Sequence, residues 1–179
     1  DPAARFAEDH LRMLRAVRFA AATGFELDAA TRAAVASLAP RLSTVSAERV
    51  YQELDRMLLG PDPAAAFTML ADLGLLAVWL PELAAMQGVP QPPQFHPEGD
   101  VWVHTMRMLS LLRFPDSALA WAVLLHDVGK PVTHEFADGR DRFPQHAEAG
   151  AGMAETLLRR LRASRRQIEA VTACVDNHM

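Results

Sequence analysis

The chain has 179 residues, half of them apolar, and a formal net charge of −4. That length can bury the core of one large or two small domains, and the acidic balance excludes a globally basic nucleic-acid binder, leaving local patches to decide. No apolar stretch reaches bilayer-spanning length and no basic segment followed by an apolar one opens the chain, so a soluble, cytoplasmic protein without a membrane partner is expected. The lone Cys174 excludes an internal disulfide and a cysteine-rich zinc site.

Helical periodicity recurs throughout, with no sustained alternation of the kind a half-buried strand shows, which predicts an all-α fold. A first helix is predicted from Ala7 to Thr23, with Phe6, Met13, Val17 and Ala20 on one face and Gly24 as its stop. Asp28 can cap a second helix ended by Pro40. Ser46 can cap a third, with Gly60 beyond it, and Asp62-Pro63 begins a fourth. These helices form a first domain over residues 1–80. The stretch from Pro81 to Gly99 holds five prolines and two glycines and is predicted as a linker. In a second domain over 100–179, helices are predicted at Val101–Leu112, Asp116–His126, His146–Leu161 and Ser164–Met179, and Asp138 to Asp141 as a loop. Asp1 at the start and an unfinished helical pattern at Met179 suggest a piece of a longer protein.

Arginines cluster at Arg5, Arg12, Arg15 and Arg18, and again at Arg159, Arg160, Arg162, Arg165 and Arg166. They form either solvated helix faces or contacts to nucleic-acid phosphates. Lys130 is the only lysine.

His126 and Asp127 stand together where the apolar run Leu124-Leu125 meets Gly129, and His104 and His146 lie on other predicted helices. A buried His-Asp pair is costly unless something occupies it. A hydrogen-bonded pair capping a helix end is one reading; imidazoles aimed at one divalent ion are the other. Nitrogen and carboxylate donors together suit Mn, Fe, Co, Ni or Mg better than a closed tetrahedral zinc site, and an ion of that kind would be catalytic, acting on phosphate esters. Asp176 and His178 would point about 200° apart on a helix, so one at most faces the site, and His178 is favoured. His10 and His134 are read as ordinary surface or core residues.

His104, His126-Asp127 and Lys130 resemble the HD superfamily of metal-dependent phosphohydrolases. The resemblance implies that His104, His126, Asp127, His146 and His178 hold metal and that Asp127 and Lys130 are catalytic. The family pattern closes with a later aspartate; Asp176 fits it poorly, and that residue is expected beyond Met179.

Glu8 and Arg12 stand four apart and Asp9 and Arg12 three apart, spacings that share one helix surface as an ion pair would. The longer run Arg5-Phe6-Ala7-Glu8-Asp9-His10-Leu11-Arg12-Met13-Leu14-Arg15-Ala16-Val17-Arg18-Phe19 closely resembles the neck of class II tRNA nucleotidyltransferases and bacterial poly(A) polymerases. Ser46-Ala47-Glu48-Arg49-Val50 with Glu53-Leu54 is similar to their next helical motif, and His96-Pro97-Glu98-Gly99-Asp100-Val101-Trp102-Val103-His104-Thr105 to the entry of the HD domain many of them carry. The resemblance implies that Asp9 and Arg12 act as a template for CTP or ATP, with Glu8 orienting Arg12 and Arg15 nearby, and that the tRNA 3′ end is the partner. The chemistry is sound: cytosine and adenine offer an exocyclic amine to a carboxylate and a ring nitrogen to a guanidinium, while uracil and guanine offer the reverse. The family's transferase head, with its paired aspartates, has no counterpart here, so this chain alone is expected not to transfer nucleotides. Two further readings stand beside a CCA-adding or poly(A)-polymerase fragment: a free-standing HD phosphohydrolase and a non-catalytic RNA-positioning module.

Overall fold

The computed structural model describes residues 1–92, 94 and 97–179; His96, within the HD-entry motif, lies outside them. Two compact units divide the chain, Asp1–Pro81 and Glu82–Met179, so residues 82–99 fall to the second unit.

The first unit is helical among its described residues. Helix α1 (Pro2–Glu8) is opened by the Asp1 side chain accepting from the amide of Ala3 and by a first-turn proline. The single helix predicted over Ala7–Thr23 is instead broken. Asp9 is extended (φ −154°, ψ 105°), and α2 runs from Leu11 to Thr23. The cause is local: the Asp9 carboxylate accepts from the amide of Leu11, a side-chain bond that competes with helix continuation. Gly24, at φ +70°, ends α2 in the left-handed conformation glycine tolerates. Helix α3 (Ala29–Leu38) is capped by Asp28, and a 3-10 turn over Ala39–Thr44 carries the chain through Pro40. In α4 (Ala47–Leu58) the Ser46 side chain makes no capping bond, against expectation, whereas Asp62 caps α5 (Pro63–Asp72) through the amide of Ala65. A short α6 (Leu76–Trp79) follows. Helix α2 packs on α4 and α5 and α1 on α3, around buried Met13, Val17, Val35, Leu54 and Phe67.

After the turn α7 (Pro81–Ala84), the second unit comprises α8 (Val101–Leu111), α9 (Ser117–Leu125), α10 (Lys130–Thr133), α11 (His146–Arg160) and α12 (Arg165–Asp176). Asp100 caps α8 through Val103 and also takes the amide of Gly88, fastening the proline-rich stretch to the helix it precedes. Helix α9 has no polar face: Trp121, Leu124 and Leu125 are fully buried, and α8 and α12 cover it. The predicted loop at 138–141 is part of a hairpin, β1 (Glu135–Ala137) antiparallel to β2 (Arg140–Arg142). Its turn is Asp138-Gly139, both at positive φ (54° and 74°), the pair a two-residue hairpin connection favours.

One contact fixes the site's geometry. A Cβ on Gly129 would lie 2.2 Å from the carbonyl oxygen of His146 and 2.6 Å from the amide nitrogen of Gly150, so α11 can start against the end of the His-Asp turn only because residue 129 has no side chain. Gly129→Ala is therefore expected to destabilise the second unit by about 1–3 kcal/mol or more. A thermal melt should show a drop of roughly 5 °C or more; an unchanged melting temperature would mean the two backbones are not in contact.

Candidate metal centre

Helix α9 ends at Leu125, and the next turn delivers His126 and Asp127 from the most buried helix of the unit into a cleft. Asp127 is 1% exposed. Four imidazoles converge on its carboxylate by their Nε2 atoms. His126 and His104 lie 3.1 and 3.9 Å from Oδ2, and His146 and His178 lie 3.6 and 3.8 Å from Oδ1. Each comes from a different segment: α8, the end of α9, the start of α11 and the residues after α12.

The other ring nitrogens decide what those Nε2 atoms are. Nδ1 of His126, His146 and His178 lies against the backbone carbonyls of Val123, Phe143 and Val175, at 2.8, 2.9 and 2.6 Å. Nδ1 of His104 lies against the carboxylate of Glu98. Carbonyl and carboxylate oxygens only accept, so every Nδ1 carries a hydrogen and every neutral ring turns an Nε2 lone pair inward. The Nε2 atoms of His146 and His178 are 3.3 Å apart, and two facing lone pairs at that distance need a proton or a cation between them.

Burial pushes the Asp127 carboxyl up, but the His126 and His178 rings, which can donate to it only when Nε2 carries a proton, and the charge of Lys130 outweigh burial and hold the group far below the usual carboxylate range. His146 is lowered by burial, whereas His178 is raised by its bond to Asp127. Lys130, 6% exposed, places Nζ 2.8 Å from Asp127 Oδ2 and 2.6 Å from Gln91 Oε1. Despite these neighbours, the enclosed Oδ2 accepts no well-directed hydrogen bond among the described residues. An acceptor oxygen with an unfilled direction, ringed by inward lone pairs, is the donor set a divalent ion needs. The ligand atoms of His104, His126 and Asp127, and those of Asp127, His146 and His178, each lie within 4.8 Å of one another. The residues therefore fit a metal.

The histidines predicted from sequence are thus brought together with Asp127 and Lys130. His178 is not on a helix, because α12 ends at Asp176, and the exposed Asp176 takes no part. His10 bonds Thr44 and His134 bonds Asp141, apart from the cluster. Sequence reasoning missed Glu98 and Gln91, which orient His104 and Lys130 from a segment without periodicity.

The acidic and arginine motif of the first unit is arranged differently from expectation. Glu8 pairs with Arg12, whose guanidinium also donates to the carbonyl of Arg5. Asp9 pairs with Arg49 of α4 at 2.8 Å rather than with Arg12, and that bond holds its carboxyl below the ordinary range. The helix break turns Asp9 away from the shared surface the spacing suggested. Arg15 is exposed.

The family profile for the probable RNA and SrmB-binding site of polymerase A matches residues 24–87, and that for the HD domain matches residues 101–179. Among curated relatives, the Multifunctional CCA protein of Halorhodospira halophila is 42% identical over 167 residues, 89% of this chain and 40% of that protein. The Multifunctional CCA protein of Pasteurella multocida is 38% identical over 188 residues, 97% of this chain and 44% of that protein. The CC-adding tRNA nucleotidyltransferase of Thermus thermophilus is 41% identical over 183 residues, 96% of this chain and 42% of that protein. The chain spans about two fifths of the length of these relatives. No helix among the described residues is long and apolar enough to cross a membrane.

If imidazole nitrogens bind the ion, uptake must displace the proton that Asp127 favours on His178. Manganese affinity should then fall roughly tenfold or more from about pH 7.5 to about pH 5.5, with proton release measurable by titration calorimetry in two buffers. Affinity independent of pH would exclude these rings as ligands. Glu98→Gln, which weakens the hold on His104, should cost roughly 10–100-fold in affinity.

Proposed function

We propose, for a chain that belongs to the tRNA nucleotidyltransferase and poly(A) polymerase family, that its first unit selects the incoming base, that exposed arginines of both units contact tRNA, and that its second unit is a metal-dependent phosphohydrolase. The observation that carries the second half is the convergence of four imidazole Nε2 atoms on one buried carboxylate.

His104, His126, Asp127, His146 and His178 would hold the ion, which when bound supplies charge to polarise a phosphoryl oxygen and to acidify water. Asp127 anchors the arrangement, its ionised form secured by its neighbours. Lys130 offsets that negative charge and, held by Gln91, keeps its ammonium at one edge of the cleft, where a phosphate oxygen can meet it. The Nδ1 bonds to backbone carbonyls keep the rings from turning, so the donor atoms need no reorganisation.

For base selection, Glu8 steadies Arg12, and Asp9 is poised on Arg49. On nucleotide binding Asp9 would exchange part of that contact for the exocyclic amine of cytosine or adenine, while Arg12 donates to the ring nitrogen. Among the arginine clusters, Arg5, Arg18, Arg159, Arg160 and Arg165 are paired with glutamates. Arg15, Arg162 and Arg166 are exposed and are the side chains offered to tRNA phosphates. The similarity to CCA-adding relatives supports tRNA and CTP or ATP as ligands.

Two assays test the two halves. With Mn, Co, Ni or Mg added, the chain should hydrolyse 4-nitrophenyl phosphate, and Asp127→Asn should lose roughly a hundredfold or more in kcat/KM; activity that survives the substitution would place the chemistry elsewhere. In a protein that carries a transferase head, Asp9→Ala should lose discrimination of CTP and ATP from UTP and GTP, and retained selectivity would remove the template assignment.

A further inference from the structure

The cleft holding the His-Asp cluster has a volume of about 830 Å³, and part of its wall comes from the β1–β2 hairpin through Arg140 and Arg142. In the hairpin register Glu135 stands opposite Arg142 and Ala137 opposite Arg140. Alternation therefore puts both arginines on one face of the ribbon, about 6.8 Å apart along the strand, with Glu135 and Ala137 beside them.

Their partners differ from those of every other cation in the cleft. Lys130 is buried and committed to Asp127 and Gln91. Arg142 pairs with Asp138 at the turn through one terminal nitrogen, and its side chain stays 39% exposed. Arg140 is exposed and makes no ion pair among the described residues. The nearby acid Asp141 is occupied by His134, leaving Glu135 as the counter-charge on the arginine face. An exposed guanidinium beside a second, partly exposed one is a ready site for a tetrahedral anion, which takes two or more N–H donors at once.

We infer that Arg140 and Arg142 bind a second phosphate of the substrate, distinct from the one hydrolysed at the His-Asp cluster, so that the cleft prefers the end of a phosphodiester-linked nucleotide chain over an isolated phosphate monoester. The inference rests on the phosphohydrolase reading for the identity of the first phosphate. The hairpin is then a substrate-reading arm: the cluster takes the terminal ester and the arginines take the next phosphate along. Lys130, held on Asp127 and Gln91 beside the cluster, is placed for the first phosphate and not for the second.

Adenosine 3′,5′-bisphosphate and adenosine 3′-monophosphate share base and sugar and differ by one phosphate, so a comparison between them isolates the subsite. Calorimetric binding to the whole manganese-loaded chain should favour the bisphosphate by roughly tenfold. Arg140→Gln and Arg142→Gln, both surface substitutions, should each bring that ratio toward one. A ratio near one in the wild type, or an unchanged ratio in both variants, would overturn the subsite. Hydrolysis of 4-nitrophenyl phosphate, followed in parallel, separates the two ideas. Hydrolysis without bisphosphate preference rejects the arginine arm and leaves the phosphohydrolase standing; preference in binding without hydrolysis keeps the arm and rejects the phosphohydrolase.

Discussion

The second unit is organised around one unfavourable act, the burial of an ionised carboxylate. Removing Asp127 from water would be prohibitive unless every direction around it were answered by donors or positive charge. The Lys130 ammonium supplies part of the answer, and four imidazole rings from separate segments turn their Nε2 atoms toward the same carboxylate, a donor set that a bound cation would complete. The apolar α9 drives the His-Asp turn inward, and the Gly129 contact lets α11 begin against it. The backbone carbonyls of Val123, Phe143 and Val175 hold three of the rings. Packing and chemistry are thus one problem: the helix that fills the core also places the charge around which a candidate ion site is built.

Much of this was readable from residues because the signals were local. Asp28, Asp62 and Gly24 mark helix ends by mechanisms that act within a turn, and the structure uses each of them. The convergence of His104, His126 and His146 could be anticipated because buried histidines on separate helices need a common partner. The second-layer residues could not. Glu98 and Gln91 lie in a proline-rich stretch whose side chains have no periodic relation to the cluster, and only tertiary placement brings them to His104 and Lys130.

The departures have physical causes as well. The spacing from Glu8 to Arg12 suits a continuous helix and equally suits two helices joined at Asp9, since the Glu8–Arg12 pair survives the break. What decides is the Asp9 side chain, which bonds the amide of Leu11 and reaches Arg49 in another helix. The strands of the hairpin at 135–142 are three residues each, too short to show an alternating pattern, and the Asp138-Gly139 pair is its one local turn signal. The His178 position depended on where α12 stops, and helix ends are the least legible part of a pattern.

The claim on which the account turns is that the Asp127 pocket binds a divalent ion through imidazole Nε2 atoms. The most direct measurement is anomalous diffraction from a crystal of the chain soaked in manganese. The account predicts one strong peak within bonding distance of Asp127 and the Nε2 atoms of the surrounding histidines. A crystal with manganese bound elsewhere, or with the histidine rings turned so that Nδ1 faces the carboxylate, would contradict it.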